Sequence, residues 1–253
     1  MKTLAPSDIQ IAADTNVLCH IAATEVLSCA DAAVREQSSF TVVLSGGTTP
    51  KGLYTLLADD AALRTRVPWE KTHFFWGDER HVSPDHSDSN YRMAHEAMLA
   101  KVPIPETNIH RIKSEYADAE QAAQEYEQAL RTFFHLSGEQ YPRFDLVFLG
   151  LGPDAHTASL FPGTQALHAD QRLVVANWVG KFYADRITMT APVLSNAKRI
   201  IFLVSGEEKA LPLKAVLEGR YEPEQLPAQL IQPRHGRLLW LVDQTAAHLL
   251  QEH

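Results

Sequence analysis

Short apolar runs alternate with longer amphipathic ones along the whole chain, and that alternation is the strongest constraint on its fold. Thr41 to Leu44 precedes a helical pattern, and His73 to Trp76 leads through a long polar loop to a helix over Tyr91 to Ala100. A charged amphipathic helix over Ala117 to His135 precedes a strand over Leu146 to Leu149. Ile200 to Val204 feeds a helix over Glu207 to Glu218, and Leu238 to Val242 is followed by a last helix. Such regular succession predicts an α/β fold with a mostly parallel, Rossmann-like sheet and helices on both faces. Sheets of this kind bind ligands beyond the carboxyl ends of their strands, so the loops that follow strands are where chemistry is expected.

Composition narrows the class. The 253 residues are 45% hydrophobic and 21% charged, enough to bury a full core, and no linker, charge block or repeat divides them. A single domain over residues 1–253 is therefore expected. The net charge of −8 argues against wholesale binding to nucleic acid, while leaving room for a local basic pocket that takes an anion. The opening MKTLAPSDIQ lacks the apolar core of a signal peptide, and later apolar runs are broken within about ten residues. A cytoplasmic protein with no membrane partner is expected. The only cysteines, Cys19 and Cys29, fall in one expected helix, where ten residues span about 15 Å of axis and no bridge can form. That usage fits a reducing compartment.

Three strand-end loops carry candidate chemistry. After Leu44 comes Ser45-Gly46-Gly47-Thr48-Thr49-Pro50, in which Thr49 is placed to cap a helix and Pro50 to begin it. Its glycines allow close backbone approach, and free N–H groups at a helix start favour an anion such as phosphate; a tight ligand-free turn is the competing reading. No Walker lysine follows. After Trp76 comes Gly77-Asp78-Glu79-Arg80, where Arg80 is able either to grip a phosphate or carboxylate with two prongs or to pair with Asp78 or Glu79. The His and Asp residues between 81 and 88 lack a recognised metal-ligand spacing and read as a solvated loop that is long enough for a lid.

The third loop follows Leu149 and reads Gly150-Leu151-Gly152-Pro153-Asp154-Ala155-His156. It matches a dinucleotide-binding pattern, but no acid closes the next strand run, Arg172 to Ala176, as ribose recognition requires. Asp154 reads either as the cap of a helix starting near Ala155 or as the partner of His156. A histidine at a sheet rim is able to take a proton from water, and a neighbouring carboxylate orients it. Near the carboxyl end, Arg186 and Lys209 each place a cation at a strand boundary, and Lys209 sits in a helix's opening turn, where an anionic ligand would account for it. Pairing with its acidic neighbours is the plainer alternative.

Five ordered blocks, LSGGTTPKGLY, FFWGDERHVSPDHSDSNYRM, FDLVFLGLGPDAHTASLFPGT, RITMT and LVSGEEKA, make the chain similar to the 6-phosphogluconolactonase family. The resemblance implies the fold of the glucosamine-6-phosphate deaminase/ribose-5-phosphate isomerase superfamily and hydrolysis of 6-phosphoglucono-δ-lactone in the oxidative pentose phosphate pathway. It implies a small sugar-phosphate lactone as partner and no metal or organic cofactor, and leaves the oligomeric state open. Carried onto matching positions, it makes His156 the general base, Asp154 its orienting partner and Arg80 a substrate-binding cation. Ser45, Gly46, Gly47, Thr48, Arg186 and Lys209 would hold phosphate and sugar hydroxyls. The family's Asp-Gly-His reads Asp154-Ala155-His156 here, and the intact Asp and His favour a helical φ at Ala155, where alanine is nearly free of strain. A glucosamine-6-phosphate deaminase would follow its His with Asn-Glu-Pro, and Thr157 to Gly163 supplies no such acid. A non-catalytic sugar-phosphate sensor would need a DNA-binding module, and no spare segment remains for one.

Overall fold

Strand runs with no polar alternation need cover on both faces. All five residues of β2 (Phe40–Leu44) and all four of β6 (Leu146–Leu149) are buried in the computed structural model, which describes residues 8–251. Residues 1–7, on which part of the signal-peptide reading rests, and the last two residues of the expected domain lie outside the described residues.

The chain opens with β1 (Asp8–Ala12), the long helix α1 (Thr15–Gln37) and β2, followed by α2 (Thr48–Asp59) and the short α3 (Ala61–Arg64). Next come β3 (Thr72–Trp76), β4 (Asp78–Arg80), α4 (Asn90–Ala97), β5 (Ile109–His110), α5 (Ala119–Phe133) and β6. The last third holds β7 (Val174–Val179), β8 (Ala184–Met189), α6 (Ala191–Ser195), β9 (Arg199–Val204), α7 (Ala210–Glu218), β10 (Arg237–Asp243) and α8 (Gln244–Ala247). Seven strands form one sheet in the order β1-β10-β9-β6-β2-β3-β5, every pair parallel. The remaining three form a small antiparallel sheet, β4-β8-β7.

The expected α/β fold is thus present, with the parallel sheet as its centre. Two features escaped the sequence pattern. The edge strand β1 is short and half polar, and the antiparallel sheet is built from the charged tripeptide β4, from β7, which is displaced from the expected Arg172 to Ala176 run, and from β8. Helix α1 is long and apolar enough to cross a membrane by length and composition, but Leu18, Ala22, Val26 and Ala30 bury its apolar stripe in the core. Its start is fixed by Asp14, whose carboxylate accepts the Val17 N–H at 2.8 Å. Cys19 and Cys29 both lie on this helix and are free.

The strand order places the site. From β2 the chain moves outward to β3 and β5, then returns to lay β6 on the other side of β2 before continuing to β9 and β10. The loops after β2 and β6 therefore diverge at the point where the winding reverses, and a crevice opens there.

At the β5 edge, the rings of His73 and His110 stack with Nδ1 and Nε2 3.2 Å apart, and His110 lies flat on Phe75 at 4.4 Å. Burial lowers the pKa of both, and with the charge of His73 it pushes His110 down to about 4. His110 is thus neutral when folded and protonated when unfolded between about pH 6.5 and 4. Stability is present above the unfolded value and falls as pH drops through this window. We predict a loss of about 1 kcal/mol between pH 7 and pH 5 from His110 after allowance for solvent screening. Denaturant unfolding at the two pH values should show a smaller loss for His110→Gln, and an equal loss would refute the assignment.

Candidate active site

Two buried tyrosines fix the strand ends from which the site loops leave. The Tyr54 hydroxyl accepts the Ser45 N–H at 2.9 Å and donates to the Ser45 carbonyl at 3.0 Å. The Tyr126 hydroxyl treats Trp76 in the same way, at 2.9 and 3.1 Å. Burial pushes both phenols far up, so each stays protonated and able to donate.

Past Ser45 the backbone runs through Gly46 and Gly47 into α2. A Cβ on Gly46 would lie 2.1 Å from Asn90 Oδ1, so only glycine fits there. Gly47 has φ +108° and is itself the N-cap of α2, which begins at Thr48 with no side-chain cap. This corrects the expected cap at Thr49 and start at Pro50. Starting two residues earlier leaves the N–H groups of Thr48 and Thr49 at the crevice, ahead of the proline that has none.

Gly77 couples the two sheets, donating to the Leu44 carbonyl and accepting from the Met189 N–H. Asp78 is buried and accepts from Ser159 Oγ at 2.7 Å. Glu79 is buried too and accepts from the N–H groups of Arg80, Asn90 and Tyr91 and from Ser89 Oγ. Burial raises its pKa against the pull of those donors. Both acids are thus engaged elsewhere, and among the described residues Arg80 makes no ion pair with either; its guanidinium donates to the Asp88 carbonyl at 2.8 Å. Arg80 stands opposite Arg186 in the β4–β8 ladder, so the two cations share a sheet face. Burial, then the charge of Arg80, lowers the pKa of Arg186, whose guanidinium lies 5.2 Å from the Phe182 ring centre.

The loop after β6 is a tight turn rather than a helix start. Gly152 N–H donates to the His156 carbonyl at 2.8 Å and Ala155 N–H to the Gly152 carbonyl at 3.0 Å. Asp154 therefore caps no helix. Its Oδ1 pairs with His156 Nδ1, and its Oδ2 accepts from Lys181 Nζ at 3.2 Å. Burial alone would raise the Asp154 pKa, but the bond and charge from His156 and the ammonium of Lys181 hold it well below the usual carboxylate range. The carboxylate stays ionised, and with Nδ1 as the donor to it the free Nε2 is the atom that accepts a proton. The His156 ring stacks on Phe161 at 4.1 Å and covers Gly152, where a Cβ would fall 1.9 Å from Nδ1.

Ala155 departs from the sequence expectation. Its φ is +60°, not helical, so alanine carries about 1–2 kcal/mol of strain where a glycine would carry none. The turn that brings Asp154 and His156 together requires this conformation. Ala155 is 1% exposed, and burial of its methyl offsets part of the strain, at about 0.8 kcal/mol per carbon.

These loops enclose a cleft of about 210 Å³ whose lining includes Gly46, Thr48, Arg80, Gly152, His156 and Lys209. Lys209 closes a 3-10 turn after β9, and its ammonium is 3.9 Å from Glu208, too loose a pair to engage it fully. Of the expected site residues, Ser45, Gly46, Gly47, Thr48, Arg80, His156 and Lys209 meet in the cleft. Asp154 stands behind His156, and Arg186 stands beside Arg80 outside the lining. Sequence reasoning missed Asp78 and Asn90, which line the cleft, and Lys181, which reaches Asp154 from another loop. Asp78 and Asn90 lie inside the quoted GDER block; Lys181 lies in none. No group of three or more His, Cys, Asp or Glu side chains suited to a metal occurs among the described residues. A larger groove of about 700 Å³, near Tyr141 and Arg234 at the amino ends of the strands, contains none of these residues.

The family model described as glucosamine-6-phosphate isomerases/6-phosphogluconolactonase matches residues 13–240. A 6-phosphogluconolactonase of Synechocystis is 49% identical over 87% of this chain and 88% of its own length. The solved 6-phosphogluconolactonase of Trypanosoma brucei superposes with a TM-score of 0.86 at 28% identity, covering 98% of this chain and 100% of that one. A monomeric glucosamine-6-phosphate deaminase shares the fold at 21% identity, with a TM-score of 0.79 over 96% of this chain and 99% of its own.

Proposed function

The chain belongs to the glucosamine-6-phosphate isomerase/6-phosphogluconolactonase family, and from that premise we infer that it hydrolyses 6-phosphoglucono-δ-lactone to 6-phosphogluconate with His156 as general base. The observation that carries the mechanism is the dyad: an ionised Asp154 on Nδ1, and Nε2 of a cleft-lining His156 left to take a proton. Water bound at Nε2 loses its proton as its oxygen bonds to the lactone carbonyl carbon. The tetrahedral intermediate collapses by breaking the bond to the ring oxygen, which takes the proton back from the imidazolium and leaves as a hydroxyl. The carbonyl carbon becomes a carboxylic acid, which gives the water's second proton to solvent and ends as a carboxylate. No G-x-S-x-G nucleophile occurs, and none is needed for an ester this reactive.

The anionic end of the substrate meets the opposite side of the cleft. The N–H groups at the start of α2, with Arg80 and Lys209, supply donors and positive charge for a phosphate, and Arg186 adds its field from beside Arg80. Ser45, Gly46, Gly47 and Thr48 form the backbone wall. The residue stacked on His156 is Phe161, where a deaminase would need a further carboxylate to assist ring opening, so the geometry favours hydrolysis. The whole of residues 1–253 acts in this reading as one domain in the cytoplasm, supported by one continuous core and by two free cysteines, and cell fractionation tests the location.

A coupled assay with freshly generated 6-phosphogluconolactone, corrected for spontaneous hydrolysis, tests the activity. Within it, Arg80→Ala or Lys209→Ala should raise KM for the phosphorylated lactone by roughly 10- to 100-fold, the worth of a hydrogen bond to a charged group. Equal activity of the wild type on unphosphorylated gluconolactone would contradict the phosphate site.

A further inference from the structure

The turn between β7 and β8 touches the dyad once and the ring behind it once. Lys181 Nζ is 3.2 Å from Asp154 Oδ2, the oxygen that His156 does not use. Phe182 meets Phe161 edge-on at 5.6 Å, and Phe161 is the ring on which His156 stacks. We propose that this hairpin turn is a positioning element of the catalytic dyad, with Lys181 fixing the Asp154 carboxylate and Phe182 bracing the ring behind His156.

The proposal rests on His156 as base and goes beyond it, because neither residue belongs to a loop that follows a strand of the parallel sheet or reaches the cleft lining. A carboxylate bound through one oxygen swings about its side-chain bond; bound through both, it keeps its plane and holds the imidazole at one angle. Lys181 is half exposed, with 55% of its side chain accessible, whereas Asp154 and His156 are at 26% and 23%. A surface lysine spanning to a part-buried carboxylate in this way gives little to overall stability. Its effect is therefore expected in the rate rather than in the melting temperature. Phe182 is held in turn by Lys181 and Arg186, whose cations lie 5.4 and 5.2 Å from its ring centre.

The charges around the dyad are Lys181 and Arg186 from the hairpin, Asp78 and Arg80 from β4 and Lys209 after β9. All but the first are unchanged in a Lys181 variant. Lys181→Met should lower kcat roughly two- to fivefold, the rate equivalent of a part-exposed ion pair, with KM and the melting temperature unchanged. Loss of a neighbouring cation favours the protonated base, so the acid limb of kcat/KM against pH should move to higher pH. Lys181→Arg should restore both rate and profile. Phe182→Ala should lower kcat without moving the limb, since it removes packing and no charge. A Lys181→Met enzyme with wild-type kcat and pH profile, or one altered in KM alone, overturns the proposal. His156→Ala in the same assay separates the two readings: if that variant is active, the base assignment itself fails, and if it is inactive beside a wild-type Lys181→Met, only the hairpin's role falls.

Discussion

Replacement of His156 by alanine is expected to lower kcat by about 10²- to 10⁴-fold while 6-phosphogluconate still binds, because the variant removes the proposed proton acceptor and none of the cations. The prediction follows from the separation of the two functions in the cleft. His156 comes from the loop after β6, whereas Arg80 follows β3 in the small sheet and Lys209 follows β9. Losing the imidazole leaves those anchors in place. The lactone also hydrolyses unaided, so the coupled assay must subtract the spontaneous rate, and binding is read separately by calorimetry with the product. A variant that turns over at close to the wild-type rate would remove His156 from the chemistry.

Gly152→Ala should come near that result without touching a single polar group. The added methyl would sit 1.9 Å from His156 Nδ1 and 2.1 Å from Cε1, closer than any real contact, and the ring is also stacked on Phe161. The imidazole must leave its position, and a displacement of about 1 Å at a reacting group is worth about 10²-fold in rate. The backbone at Gly152 does not have positive φ, so alanine itself is tolerated there and the protein should fold. We expect kcat to fall by about 10²-fold with KM for the lactone little changed. Wild-type kcat in Gly152→Ala would show that the base works from another orientation.

What the sequence made legible was the frame and the strand-end loops. The strands over Thr41 to Leu44, His73 to Trp76, Leu146 to Leu149 and Leu238 to Val242 all lie within observed strands, because buried parallel strands are written as unbroken apolar runs. The antiparallel sheet was not legible. Its strand β4 is Asp78-Glu79-Arg80, whose acids are buried by partners from residues 89, 90, 91 and 159, which no local pattern announces. The same applies to Lys181, whose partner Asp154 is 27 residues away. Ala155 was misjudged for a different reason. Asp-x-His looked like the first turn of a helix, and the need for positive φ came from a hydrogen-bonded turn between Gly152 and His156.

The paired tyrosines have a consequence for binding. Tyr54 and Tyr126 each satisfy both backbone groups of the residue at a strand's end, positions that would otherwise lose their ladder partners and fray. The glycine loop proposed to hold the phosphate and the Arg80 strand thus leave the sheet from points whose freedom was already surrendered when the chain folded. A substrate arriving at the cleft has correspondingly less of the protein to immobilise, and the entropy not lost at that moment appears as affinity.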